Sequence, residues 1–424
     1  MPKPMNVMVV GSGGREHALV WKLSQSRHAE KIFAAPGNGG TAALATNLPI
    51  SDTDIPALVA AAEEHAIDLT IVGPEAPLAA GLVDAFTEAG LKAFGPTAAA
   101  ARIESSKVWS KNLMTKYGIP TADFQRVDNP EEAMAYLSRL PDGPVAVKAD
   151  GLAAGKGVIM AADHAEAIHA AISMFEGQFG DAGRSVVFEE VLVGPEVSIF
   201  AFVDGEHVSA QVSACDYKRI GDGDTGLNTG GMGAYTPPEF WDHELAETVR
   251  TTIMERAATA MVAEGCPFTG VLYGGVMVTA EGPKVIEFNC RFGDPDGSLV
   301  LPRLDSDLLE TCLAAVEGRL GEHPVSWSDS SYVSVVMASG GYPEKYEMGK
   351  IISGVENANS AALVFHAGTK ITDEGTVTAG GRVLAVAASG TNIREARASA
   401  YRAVEKISFE GAVYRTDIAE RAAH

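Results

Sequence analysis

The 424-residue sequence has little cysteine, a deficit of positive charge and no long apolar run. Its four cysteines, Cys215, Cys266, Cys290 and Cys312, form no CxxC pair. Their spacing excludes a zinc ribbon or a small disulfide framework and predicts isolated reduced thiols in a cytoplasmic protein. Lysine and arginine total 33 against 55 aspartates and glutamates, a net charge of −22 with no basic cluster to relieve it. Such a surface repels a phosphate backbone, so nucleic acid is not an expected partner. No apolar run approaches the roughly 20 residues that span a bilayer. The N-terminus also lacks a basic flank followed by an apolar stretch, so neither membrane nor secretion is expected. The ten histidines are scattered, and only His17 falls in a candidate site. No spacing supports a Ser–His–Asp or Cys–His nucleophile, and no repeat or low-complexity segment is found.

What is present is ordinary globular composition, 46% apolar and 21% charged, over a length that predicts two to four domains. Residues 6–10, 32–35 and 69–72 read as strands and alternate with helical segments near residues 18–21, 55–65 and 78–89. That alternation predicts a parallel α/β sheet ending near Gly95-Pro96, with its ligand crevice at the carboxyl ends of the strands. An Ala-rich helical stretch at 98–102 leads to Ser105, Ser106 and Lys107. A second α/β region covers about 119–190. A third, with strands at 271–278 and 285–288, extends to about 317. Residues 326–331, SWSDSS, read as a linker. The tail reads as α+β, with strands at 332–337, 364–366 and 382–387. A helix over 393–407 follows, capped by Asn392 with Glu395.

The most informative stretch is residues 284–295, KVIEFNCRFGDP. Val285, Ile286 and Phe288 mark a strand, so Glu287, Asn289 and Arg291 share a face. A carboxylate and an amide oxygen suit a hard cation bound together with nucleotide phosphates. A guanidinium beyond them suits a carboxylate or phosphate. The alternative is the wet face of an edge strand.

Four other motifs carry chemistry. GSGGREH, with Gly11, Gly13 and Gly14, fails as a dinucleotide fingerprint. Glu16 stands at the third glycine, and Pro36-Gly37-Asn38 replaces the ribose-binding acid. The loop is either an anion site for a phosphorylated substrate or a tight turn. Residues 145–160 read as strand, loop, strand, with Lys148 on the first strand and Lys156 at the tip of the glycine loop. Gly157 stands where a Walker loop needs Ser or Thr, so this is a phosphate lid or a surface hairpin. A strand at 186–188 precedes Glu189, Glu190, Val191, Leu192 and Glu196, which suit an adenine hinge and a ribose acceptor or are merely exposed acids. SACDYKR and NTGGMG flank an acidic loop, offering Lys218, Arg219 and the backbone N–H groups of Gly230, Gly231 and Gly233. Leu227 and Gly233 occupy the positions where an EF-hand needs Gly and Glu, which excludes that calcium loop.

A two-lysine lid, an adenine hinge and a late Glu-x-Asn strand, in that order, resemble the ATP-grasp superfamily. VVGSGGREHAL, APGNGGT, LTIVGPEAPL, FGPT, VKADGLAAGKGV, NTGGMGAY, VIEFNCRFGDP, VFHAGTK and GGRVL together resemble the phosphoribosylamine–glycine ligase family over essentially the whole chain. The resemblance implies an N-terminal α/β substrate-binding domain (residues 1–100) and a two-part ATP-grasp domain (101–327, lid about 119–192). A small C-terminal α+β domain (328–424) completes it. It implies that ATP, glycine and 5-phosphoribosylamine yield glycinamide ribonucleotide, ADP and phosphate through glycyl phosphate. Glu287 and Asn289 would hold Mg²⁺ or Mn²⁺. Lys107 and Lys148 would contact the ATP phosphates, under a lid that includes Gly151, Gly155, Lys156 and Gly157. Glu189, Glu190 and Leu192 would form the adenine hinge, and Glu196 would take the ribose. Gly11, Gly13, Gly14, Asn38 and Glu75 would line the phosphoribosylamine pocket, with Lys218, Arg219, Gly230 and Gly231 nearby. Arg291 would take the glycine carboxylate and its acyl phosphate, and Asp216 the ammonium. The implied protein is cytoplasmic, a monomer or small homo-oligomer. Two places depart from the family pattern: Tyr217 stands for a histidine, and Asp296-Gly297-Ser298 for Glu, Thr or Ala, and Gln. The alternatives are a ligase of another carboxylate and a nucleotide-binding paralogue without turnover.

Overall fold

The first apolar run folds as the strand Met5–Gly11, in a computed structural model that describes residues 4–152 and 157–423. It is the centre of a five-stranded parallel sheet ordered Thr46–Asn47, Ala29–Pro36, Met5–Gly11, Leu69–Val72, Ala93–Phe94. The chain leaves the central strand in opposite directions on its two sides. The loops after Gly11, Pro36 and Val72 therefore share the crevice at the switch point. Gly11 has φ +122°, and a Cβ there would meet Glu16 Cγ at 2.6 Å, so the turn into the helix Gly14–Leu23 requires glycine. The single helix expected over 78–89 is two, Glu75–Ala79 and Leu82–Glu88. Gly81 separates them in the left-handed region (φ +86°), a break that apolar periodicity does not record.

Two helices, Ala98–Ser105 and Lys107–Tyr117, carry the chain onward, their starts capped by the hydroxyls of Thr97 and Ser106. A four-stranded antiparallel sheet follows, ordered Phe124–Val127, Val186–Glu190, Val145–Ala149, Val158–Ala161. The helices Pro130–Leu137 and His164–Ser173 pack on it through Ala133, Leu137, Ala167 and Ala171. The expected strand–loop–strand is present. Gly155 and Lys156 of its loop lie outside the described residues.

Apart from two short hairpins, Arg219–Gly221 with Thr225–Asn228 and Thr369–Thr372 with Gly375–Thr378, the remaining strands form one eight-stranded antiparallel sheet. Its order is Gly282–Asn289, Thr269–Thr279, Glu196–Asp204, Val212–Asp216, Gly233–Thr236, Ser331–Ala338, Arg382–Gly390, Leu363–His366. The C-terminal strands thus continue the sheet that ends in the Glu-x-Asn strand, through the pairing of Gly233–Thr236 with Ser331–Ala338. The stretch read as a linker is tied into the fold. Trp327 Nε1 donates to Ala210 O at 2.9 Å, and the Arg303 guanidinium donates to Ser328 O at 2.6 and 3.0 Å. The final helix is Ile393–Val404. Asn392 Oδ1 accepts from Glu395 N, while Glu395 reaches back to Thr391 N, one residue upstream of the box expected. All four cysteines are free and buried. No helix among the described residues is long and apolar enough to cross a membrane.

The first sheet and the large sheet share a core. Val7, Val9 and Leu19 pack in one cluster with Phe200, Phe202, Leu299 and Phe365. Phe365, 1% exposed, meets His17 and Trp21 edge-on with ring centroids 5.6 and 5.7 Å apart. Phe365→Ala is expected to destabilise the protein by about 3–5 kcal/mol. Urea denaturation measures it, and a loss under about 1 kcal/mol contradicts a shared core.

Candidate active site

The strand Gly282–Asn289 ends at a cavity of about 690 Å³ lined by Glu287, Asn289 and Arg291. The guanidinium of Arg291 is held from three sides. Its Nη2 donates to Glu104 Oε1 at 2.9 Å and to Asn289 Oδ1 at 3.1 Å, and its Nε donates to Glu75 Oε2 at 3.2 Å. Glu75 begins a helix of the first sheet, and Glu104 lies on the connecting helix Ala98–Ser105, so one side chain joins three elements. Burial alone would lower the Arg291 pKa, but Glu104 and Glu75 outweigh it and hold the group above the usual arginine value. Burial raises the Glu104 carboxyl, with Arg291 offsetting part of that. Burial works on Glu75 in the same sense, yet Arg291 and Arg15 prevail and its carboxyl lies below the usual range.

Glu287 is in the same position. Burial would raise its pKa, but Lys218, Lys107, Lys148 and Arg291 outweigh it and keep the carboxylate ionised. With the amide oxygen of Asn289 it forms a two-oxygen donor set. Among the described residues no group of three or more His, Cys, Asp or Glu is arranged to hold a metal. Two hard oxygen donors therefore fit a divalent ion that completes its shell from phosphate oxygens and water.

The expected cations line the cavity. Lys148 Nζ donates to Glu189 Oε2 at 2.7 Å, and Lys107 Nζ donates to Gly151 O at 3.3 Å. Lys111, one turn beyond Lys107, also pairs with Glu189 Oε2 at 2.8 Å. Burial lowers the pKa of both helix lysines, that of Lys111 to about 8 despite Glu189. Glu189 Oε1 is buried without a hydrogen-bond partner among the described residues. Glu190, Leu192 and Gly157 line the same cavity. Glu196 is ion-paired with Lys218, whose Nζ also lies 3.5 Å from Asp216 Oδ1. Burial raises the Asp216 carboxyl; Asp216 and Glu196 raise Lys218 well above its usual value, against burial.

Gly13, Glu75, Asp216, Lys218, Arg219 and Gly230 also line the cavity, whereas Gly11, Gly14, Asn38, Gly151 and Gly231 stand behind its wall. Asn38 is a brace. Its Nδ2 donates to Ser12 O and His366 O at 2.9 and 2.7 Å, and its Oδ1 accepts from Gly40 N and Thr41 N. Gly231 (φ +114°) leaves room for Pro295, whose Cδ would lie 2.5 Å from a Cβ there. Tyr217 does not line the cavity; its hydroxyl accepts from Ala419 N at 2.9 Å, and Arg415 lies over its ring.

Sequence reasoning missed Glu104, Lys111, Arg15, Asp294 and Arg382. Arg15 N and Arg382 both contact Asp294, and Arg382 Nη1 donates to Gly230 O and Asp294 O at 2.5 and 2.6 Å, tying the NTGGMG loop to the end of the metal-type strand. Only Lys111 had a signal, its four-residue spacing from Lys107 on a helix. A carboxylate such as Glu104 inside an apolar helix has none in a single sequence.

Models of the phosphoribosylglycinamide synthetase family match the chain in three parts: the N domain at residues 5–104, the ATP-grasp domain at 105–297 and the C domain at 332–421. The phosphoribosylamine–glycine ligase of Allochromatium vinosum is 50% identical over 423 residues, 99% of both chains. That of Escherichia coli K12 is 49% identical over 424 residues, again 99% of both. The crystal structure of the Thermotoga maritima phosphoribosylamine–glycine ligase superposes with a TM-score of 0.86 at 33% identity, covering 97% of this chain and all of that one. A Campylobacter jejuni biotin carboxylase, 15% identical with a TM-score of 0.71 over 97% of this chain and 93% of its own, shares the fold.

Removing one partner of the buried Arg291 cluster leaves uncompensated charge. Glu104→Gln keeps the side-chain volume and an acceptor for Cys290 N but removes the charge, and is still expected to cost about 3 kcal/mol. A loss under about 1 kcal/mol in chemical denaturation contradicts the charge argument.

Proposed function

This chain belongs to the phosphoribosylglycinamide synthetase family, and from that membership we propose how its cleft performs the ATP-dependent ligation of glycine to 5-phosphoribosylamine in purine biosynthesis. The observation that carries the reading is the juxtaposition of Glu287, Asn289 and Arg291 with Lys107 and Lys148 in one cavity that also reaches the N-terminal glycine loop.

ATP lies with its adenine against residues 189–192, where backbone groups and the unpartnered Glu189 Oε1 meet its edge. Glu196 exchanges Lys218 for the ribose hydroxyls. Lys107 and Lys148 hold the phosphates. Glu287 and Asn289 would hold a divalent ion, Mg²⁺ or Mn²⁺, which would supply neutralisation of phosphate charge. Arg291 orients the glycine carboxylate in line with the γ-phosphorus. A carboxylate oxygen forms the new P–O bond as the bond to ADP breaks, giving glycyl phosphate. Positioning and charge neutralisation do most of this work. The amine of phosphoribosylamine, its phosphate on the loop around Gly13 and its ribose near Glu75, then attacks the carbonyl carbon. The C–O bond to phosphate breaks, and glycinamide ribonucleotide forms. The acyl phosphate must be kept from water until the amine attacks. The protein works in the cytoplasm as a monomer or small homo-oligomer, with no nucleic-acid or membrane partner.

ADP release by purified protein is expected to require ATP, a divalent ion, glycine and phosphoribosylamine together; release independent of either co-substrate contradicts the reading. Asn289→Leu removes a metal oxygen while keeping the branched side-chain shape, so turnover should fall at least ~100-fold, the scale of one well-placed electrostatic contact. Near-normal turnover in that variant removes Asn289 from the metal site.

A further inference from the structure

One carboxylate in the cleft has no task in this scheme. Asp296 lines the cavity, is 5% exposed, and its Oδ1 has no hydrogen-bond partner among the described residues. Its neighbours are otherwise occupied. Asp294 faces Arg382 and Arg15 N, and Asp216 faces Lys218. The position of Asp296 is also built. A Cβ on Gly293 would lie 2.3 Å from its Oδ2, so residue 293 must be glycine for the carboxylate to sit where it does. Ser298 Oγ anchors the following turn on Pro295 O and Ser334 Oγ at 2.7 and 2.8 Å. Lys218 is already shared between Asp216 and Glu196, which leaves Asp296 as an extra carboxylate beside them with an unfilled acceptor. A second ammonium would complete the balance, and a buried unpaired acceptor is costly until something fills it.

We propose that Asp296, backed by Asp216, receives the α-ammonium group of the amino-acid substrate and so sets which carboxylic acids the enzyme activates. This rests on the ligase reading, which supplies a zwitterion whose other end Arg291 takes. Selection follows from the chemistry. A carboxylic acid without an ammonium leaves Asp296 Oδ1 unfilled, and sites built around a polar group reject analogues that lack it. The charged groups around Asp296 are Asp216 and Lys218 from the strand Val212–Asp216 and the turn after it, Arg15 from the helix Gly14–Leu23, Arg382 from the strand Arg382–Gly390, and Asp294 from its own loop. Burial and then Asp216 raise the Asp296 carboxyl to about 7. Because the ammonium pairs with the ionised form, glycine binding strengthens as pH rises through neutrality and weakens below it.

The test is steady-state ADP release by the full chain with saturating Mg²⁺–ATP and phosphoribosylamine, glycine varied, comparing wild type with Asp296→Asn. The KM for glycine is expected to rise about tenfold or more, the scale of one lost charge-assisted hydrogen bond, with the KM for ATP within about twofold. The wild-type KM for glycine should fall between about pH 6 and 8, a trend the variant loses. The preference for glycine over acetate in kcat/KM should shrink about tenfold in the variant. An unchanged glycine KM, or glycine and ATP constants rising together, overturns the assignment. Should Asp296→Asn not fold, Asp296→Glu, which keeps the charge but displaces it, takes its place, and a glycine KM unchanged in that variant overturns the assignment. Wild-type protein that releases no ADP with both co-substrates present overturns the ligase reading itself, an outcome distinct from a working ligase indifferent to Asp296.

Discussion

The cleft depends on how Arg291 is held. A guanidinium with side-chain exposure of 19% between Glu104 and Glu75 is tolerable only because both carboxylates are present, since an uncompensated buried charge costs several kcal/mol. The two acids come from different elements, the connecting helix and the first sheet, so the ion cluster fixes how the N-terminal unit meets the strand Gly282–Asn289. Asn289 Oδ1 accepts from the same guanidinium, which fixes the orientation of its amide. One cation therefore sets the geometry of the metal-type donors and of the N-terminal crevice, and in the proposed reaction it meets the substrate carboxylate too.

Charge around this cluster is arranged in matched groups. Lys148 and Lys111 share Glu189, Lys218 joins Asp216 and Glu196, and Arg382 and Arg15 tie down Asp294. A chain of net charge −22 repels polyanions as a whole, so in the proposed reaction nucleotide binding falls to these few local cations. Several would exchange partners as ligands arrive: Lys148 from Glu189 to a phosphate, Lys218 when Glu196 turns to a ribose. The resting pairs keep buried charges compensated before substrate enters.

Much of this was legible in the sequence because it is local. The parallel sheet, the strand–loop–strand and the Glu-x-Asn strand are written as apolar runs bounded by glycine, and each expected strand among them forms. What was not legible depends on contacts between distant residues. The pairing of Gly233–Thr236 with Ser331–Ala338 makes one sheet of two regions that composition separates at the SWSDSS stretch. Its serines and aspartates look like a linker until Arg303 is seen to bind Ser328. Gly81 breaks a helix whose apolar spacing continues through it. In the site, residue type pointed to Glu287, Asn289, Arg291 and the lysines, but not to Glu104, whose function comes only from the guanidinium it meets. The family resemblance implied a pocket role for Asn38; its hydrogen bonds brace the loop at Ser12 and the strand ending at His366. Tyr217 departs from the family pattern at a position that supports the C-terminal tail rather than the cavity.

The central claim is that Arg291, the strand Gly282–Asn289 and the lysines together direct phosphoryl transfer to a carboxylate in a closed site. Turnover with glycine carrying ¹⁸O in both carboxylate positions tests it most directly, by mass analysis of the phosphate released. Transfer through glycyl phosphate predicts one ¹⁸O in each phosphate and one left in the glycinamide ribonucleotide. Phosphate that carries no label from glycine, or takes its fourth oxygen from solvent during productive turnover, would contradict the account.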